Sequence, residues 1–236
     1  MENSKSARYF KYAIGEIILV VIGILIALQI NNWNEKRKLS AERKQLITSI
    51  KEDLSADVLM LSNLLEETIK DQNTLKQQSD YISSVSFTMD SLVNFTNKAS
   101  QFYNPFEGFN NNAYNSAKSS GNIEIINNKL KNNLFELSVL QEKVQSTLNK
   151  YSDIYVDHIM NLNERYPFIL DFSFIKSGEI RELMWSDIDK KDLALRLNGW
   201  GTSKGNLYRL MTRELKAVLE KTKAVLMLIE NETSHD

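Results

Sequence analysis

At 236 residues with a formal net charge of −1, no cysteine, two prolines and eight glycines, the chain has room for one membrane anchor and one cored domain. The missing cysteines exclude disulfides, thiolate metal sites and cysteine nucleophiles, and the scarcity of Pro and Gly favours long unbroken helices. Charge is uneven: residues 1–44 carry eight Lys and Arg against four acids and the rest 21 against 26, so the acidic remainder lacks the basic cluster that nucleic acid requires.

The first element is an apolar run from Ile14 to Ile30, broken only by Glu16 and Gln29. Residues 12–33 supply about 20 residues of helix, which at about 1.5 Å each matches a bilayer core of roughly 30 Å. Tyr9, Phe10 and Tyr12 on one side and Trp33 on the other fall where an aromatic belt is expected. A cleaved signal peptide would need a small-x-small site after the apolar stretch, and Ala27-Leu28-Gln29 does not supply one. The spacing therefore predicts a basic lead over 1–11, a transmembrane helix over 12–33 and a soluble domain over 34–236, with lipid as an obligatory neighbour.

On a helix, Glu16, Gly23, Ala27 and Asn34 fall within about 40° of one another. Small residues four apart let a second helix approach, and polar groups in a membrane usually point at protein. This predicts a packing face for a second copy or another subunit; the alternative is that Glu16, about one turn inside, is protonated or reaches the headgroups. Lys5, Arg8 and Lys11 on one flank nearly balance Lys36, Arg37, Lys38, Arg43 and Lys44 on the other, so charge does not fix orientation.

Beyond Trp33 no Pro or Gly interrupts the chain until Pro105, which predicts one helix continuing to about residue 84. Ile47, Leu54, Leu61, Thr68, Leu75 and Ile82 repeat every seven residues, and the companion positions are Ile50, Asp57, Leu64 and Asp71. Two aspartates at such positions argue against a two-stranded coiled coil and for one helix of an antiparallel bundle. A second long helix is expected after the capping cluster Ser119-Ser120-Gly121-Asn122, with Leu130, Leu137, Val144, Tyr151 and His158 as its apolar stripe and Ile126, Leu140 and Ile154 interleaved, up to Pro167. A third is expected to open near Thr202 or Ser203 and to carry Leu207, Met211, Leu215, Val218, Thr222, Val225 and Ile229; shorter helices near 88–100, 110–119 and 186–198 complete an all-α architecture.

Two segments break this pattern. FTNKASQFYNPFEGFNNNAYN gathers Phe102, Tyr103, Phe106, Phe109 and Tyr114 around Pro105 and Gly108, and RYPFILDFSFI contains Tyr166 and Phe168. Aromatics interleaved with Asn make adaptable contact surfaces, so both are candidates for binding a partner or ligand; the other reading is a cap on the bundle core. If its helix returned toward the bilayer, the second segment would rest at the membrane interface.

Little chemistry is visible. His158 lacks companions at ligand spacing and is expected to be a core histidine, so no metal or other cofactor is expected. In Gly199-Trp200-Gly201-Thr202-Ser203-Lys204-Gly205 the lysine precedes its glycine and a helix, not a strand, comes before it, which excludes a phosphate loop and predicts an interhelical loop. No serine has a visible base, so an enzyme ranks third as a function.

The stretch YAIGEIILVVIGILIALQINNWNE, the charged helix after it and the later SSGNIEIINNKL resemble a family of uncharacterised single-span membrane proteins of flavobacteria and their relatives. The resemblance implies a bacterial inner-membrane protein with its soluble domain in the periplasm, and supplies no activity. The expected function is a non-enzymatic scaffold or accessory subunit that binds a protein partner or itself through the transmembrane helix. The alternative is an extracytoplasmic sensor or ligand-binding bundle signalling through another subunit.

Overall fold

The structure, a computed structural model, describes residues 3–84, 88, 91–92, 95, 105–166 and 173–233. Their regular structure is helical throughout, with no strand among them: α1 spans Asn3–Ile82, α2 Asn112–Ser120, α3 Asn128–Arg165, α4 Glu179–Ser186 and α5 Lys190–Thr233, with a 3-10 turn over Asn122–Ile125. α1 is 80 residues long, about 120 Å of unbroken helix that contains both the apolar run and the first bundle helix.

The bundle is built from α1, α3 and α5. Lys51 pairs with Glu230, Tyr208 with Asp71, and Thr212 with Gln72, so α5 runs antiparallel to α1. Lys221 reaches Glu136 near the start of α3 and Tyr166 reaches Asp192 near its end, so α5 is antiparallel to α3 as well. α1 and α3 are therefore parallel, both pointing away from the apolar end. Arg165 and Tyr166 consequently sit at the far tip, level with the end of α1. The condition under which residues 165–175 would rest at a membrane interface, a return of the preceding helix toward the bilayer, is not met: α3 leads away from the apolar span.

Core positions follow heptads closely. On α1, Ile47, Ile50, Leu54, Asp57, Leu61 and Thr68 of the two expected columns are buried, while Leu64, Leu75 and Ile82 are half-buried and Asp71 is exposed. On α3 the buried set is Leu130, Leu134, Leu137, Ser138, Gln141, Val144, Leu148, Tyr155 and Leu162, with steps of three and four between Leu130 and Leu148 along the core columns and of seven beyond. The expected stripe supplied only one of these two columns. Its later members Tyr151 and His158 are half-buried and Ile154 is exposed, because Leu134, Gln141, Leu148, Tyr155 and Leu162 form the column nearer the axis.

Two helix boundaries differ from expectation. Gly121 adopts φ 79°, the left-handed conformation that ends α2, and the chain then makes a 3-10 turn and an extended residue at Ile126. α3 starts only at Asn128, where the Asn127 side chain accepts a hydrogen bond from the Leu130 N–H at 2.8 Å. The capping cluster therefore closes one helix instead of opening the next.

The expected loop at 199–205 and the separate short helix at 186–198 do not exist: both lie within or beside the single helix α5, which begins at Lys190. Each glycine in a helix interior costs about 1 kcal/mol relative to alanine. Leu193, Leu197, Trp200, Leu207, Tyr208 and Met211 are all buried along this stretch, and a buried large apolar side chain contributes about 1.5–3 kcal/mol. Burial outweighs propensity, so the helix continues. The expected 110–119 helix is α2; of the expected 88–100 helix, Ser91, Leu92 and Phe95 are helical and nearly all the rest lies outside the described residues.

Candidate functional site

Four features carry the polar chemistry of the described chain, beginning with the collar of the apolar span. Every residue from Glu16 to Trp33 is exposed, because the bundle covers none of it. The continuous helical backbone places Glu16, Gly23, Ala27 and Asn34 along one side. A Cβ added at Gly23 would meet nothing within 4 Å, so this face has no packing partner among the described residues. The run ends in a polar collar: Arg37 lies 5.5 Å over the Trp33 ring, Arg37 donates to Asn34 Oδ1 at 3.4 Å, and Asn31 donates to Glu35 Oε1 at 3.1 Å. An indole stacked with a guanidinium suits the headgroup layer, where aromatic and cationic side chains concentrate.

The aromatic candidates are not brought together. Phe106 and Phe109 pack edge to face with centroids 4.7 Å apart, and Phe106 and Tyr114 are buried against α1 and α3 in the half of the bundle nearer the apolar span. Tyr166 is buried at the opposite tip, its hydroxyl donating to Asp192 Oδ2 at 2.6 Å. These four side chains close the core at two separate levels. Phe102, Tyr103 and Phe168 lie outside the described residues.

Beside Phe106 and Tyr114 sits a buried carboxylate. Asp57 is fully enclosed, its Oδ1 accepting from the Asn110 backbone N–H at 2.8 Å and from Asn110 Nδ2 at 2.9 Å, and its Oδ2 accepting from Gln141 Nε2 at 3.2 Å. Asp53, one turn earlier, accepts from the Ala113 N–H at the start of α2 at 2.9 Å. Two carboxylates of α1 therefore dock the 105–113 connection, and a void of about 10 Å³ beside them is no larger than one water. Burial pushes the Asp57 carboxyl above its ordinary value, the Asn110 hydrogen bonds oppose this, and the neighbouring Asp53 charge adds to the rise.

Toward the tip, Lys204 is buried with its Nζ 5.5 Å from the Trp200 ring, 5.7 Å from Tyr208 and 5.9 Å from Tyr155. Burial holds this amine below its ordinary value, and the Asp71 carboxylate partly offsets the drop. Asp71 also accepts from the Tyr208 hydroxyl at 3.2 Å. At the tip itself, Asp192 accepts from Tyr166 and from Arg196 Nε at 2.8 Å and forms an ion pair with Arg165 at 3.3 Å. These bonds hold Asp192 below the usual carboxylate range; burial, followed by the Asp192 bond, pushes Tyr166 up to about 12.

The heptad position of Asp57 signalled an unusual core, but its partners lie 53 and 84 residues away and carry no sequence signal. Lys204 was concealed by its glycine-rich surroundings; its spacing of three or four residues from Trp200, Leu207 and Tyr208 was the available sign. His158 is half-buried, its ring close enough to Gly199 that a Cβ there would come within 3.2 Å. Among the described residues, no three of His, Asp and Glu gather as metal ligands would. Each carboxylate described above in the bundle is engaged by donors from a second element, an arrangement that ties helices together.

No curated protein and no solved structure matches the chain. A family model does match, over residues 16–152, which takes in the apolar span, the heptad region of α1, the Asp57 cluster and the first two-thirds of α3. On that match, which covers more than half its length, the chain belongs to DUF6090, a family of unknown function.

Proposed function

We propose that this chain is a non-enzymatic, single-pass membrane protein acting as a scaffold or accessory subunit. Its span packs through Glu16, Gly23, Ala27 and Asn34 on another transmembrane helix, from a second copy or a different subunit, and its bundle presents a docking body to a protein partner. The observation that carries this reading is the continuity of α1: one helix runs from the exposed span into the core with no hinge. Whatever positions the span thereby also positions the bundle. The membrane is a bacterial inner membrane and the bundle lies on its periplasmic side, a reading drawn from the resemblance of the span.

The test is affinity isolation of the full chain in mild detergent with mass spectrometry, alongside crosslinking of Glu16→Leu and Gly23→Leu. A stoichiometric partner or self-association lost in both variants supports the proposal; association unchanged in both overturns the packing face. A C-terminal reporter active only in the cytoplasm would overturn the periplasmic placement.

A further inference from the structure

A cavity of about 870 Å³ opens at the far tip between the last turns of α1, Leu92 and Phe95, and the first half of α5, within the range typical of small-molecule sites. Its α5 wall is unusual in containing Gly201 and Gly205, one turn apart and inside a helix. Helix interiors disfavour glycine by about 1 kcal/mol each, so such residues usually answer a steric need. Gly199 answers one, because a Cβ there would sit 3.2 Å from His158. The other two do not: a Cβ on Gly201 meets nothing within 4 Å, and one on Gly205 would make only an ordinary 3.6 Å contact with Leu75. What both leave is open room in the cavity.

The surrounding chemistry selects an occupant. Leu75 and Trp200 provide apolar walls, Asn73, Asn198 and Thr202 supply neutral amide and hydroxyl groups, and among the described lining residues Lys76 alone is charged. Among the described lining residues a polyanion would find one cation, and a cationic ligand would find no carboxylate. We infer that the tip cavity is a binding site for a neutral or monoanionic amphipathic organic molecule, whose flat apolar body lies over Gly201 and Gly205 beside Trp200. This site is independent of the transmembrane packing face: its nearest wall residue, Gln72, stands about 57 Å along α1 from Asn34, so either can fail alone.

The test uses the full chain in lipid nanodiscs with Trp33→Phe and Trp185→Phe, leaving Trp200 as the single tryptophan. Titration with 2-naphthoate and, separately, its neutral carboxamide reads quenching of Trp200. The expected result is saturable quenching with one site per chain, weakened at least about tenfold by Gly201→Leu, which fills the cavity without meeting neighbouring atoms at its Cβ. Gly201→Ala and Gly23→Leu should retain binding. Quenching that only follows partition into empty nanodiscs, or a Gly201→Leu protein of unchanged helicity that binds as well as its parent, would overturn the site.

Discussion

Asp57 on α1 and Asn110 in the connection before α2 are joined by two hydrogen bonds to one carboxylate oxygen, from the backbone N–H at 2.8 Å and the side-chain amide at 2.9 Å. With Gln141 on the other oxygen, this single side chain holds α1, α3 and the aromatic connection in one register. Asparagine can reproduce the Oδ1 acceptor, and leucine cannot. Asp57→Leu should lower stability by about 1–3 kcal/mol for each donor left buried without a partner, read as a drop in the thermal midpoint of the full chain. Asp57→Asn should cost much less.

The same pair has a pH signature. Because the folded-state Asp57 carboxyl is raised above its unfolded value, its stabilising contribution is present below the unfolded pKa and is lost as pH rises through the folded one. Asp57→Asn carries no such dependence. The midpoint difference between the Asp57→Asn protein and its parent should therefore shift in favour of the variant between pH 4 and pH 7. A difference constant across that range would show that burial does not disfavour the charge.

The α1 heptads, the all-α class and the uninterrupted helix from the span into the bundle were legible in the sequence because they depend on local period and on missing breakers. The α5 boundary was not. Gly199, Gly201 and Gly205 give a loop signal at close range, and only the burial of Trp200, Leu207 and Tyr208 against α1 and α3 overrides it. The cluster at Asp57 was half visible, as a charge in a core column, while its donors depend on how distant segments meet.

That override is testable by comparing glycines within one helix. Gly201→Ala removes the propensity cost and meets no neighbour, so it should stabilise by up to about 1 kcal/mol. Gly199→Ala gains the same propensity but presses on His158 at 3.2 Å, so its gain should be smaller or absent and should return when His158→Ala is added. Were 199–205 a loop, Gly201→Ala would show no such gain.

Lys204 offers a second pH test, of opposite sign to Asp57. A base whose folded-state value is lowered binds fewer protons when folded than unfolded, so its contribution grows more favourable as pH rises toward its unfolded value. Lys204→Met keeps the length and apolar body without the charge. It should match or exceed parental stability at pH 7, and the advantage should shrink as pH approaches 10. An advantage that widened instead would mean that the contacts with Tyr155, Trp200 and Tyr208 more than compensate burial.

With the span in a bilayer, as proposed, the geometry of α1 fixes heights above it, and the absence of cysteine from the sequence makes them measurable with single labels. Taking Trp33 as the interface, Ile47 stands about 21 Å out and Ser83 about 75 Å out at 1.5 Å per residue along the helix axis. Asn110 and Ala113 bond to Asp57 and Asp53 in that order, so the chain descends toward the apolar span as it enters α2. A donor dye at Ser119→Cys should therefore transfer energy efficiently to acceptor lipids in nanodiscs, and one at Ser83→Cys should transfer little. Comparable transfer from both positions would mean that α1 bends between Trp33 and Ile47. A bent α1 would remove the rigid connection through which the span positions the bundle, and with it the principal support for a scaffold held at fixed distance from its membrane.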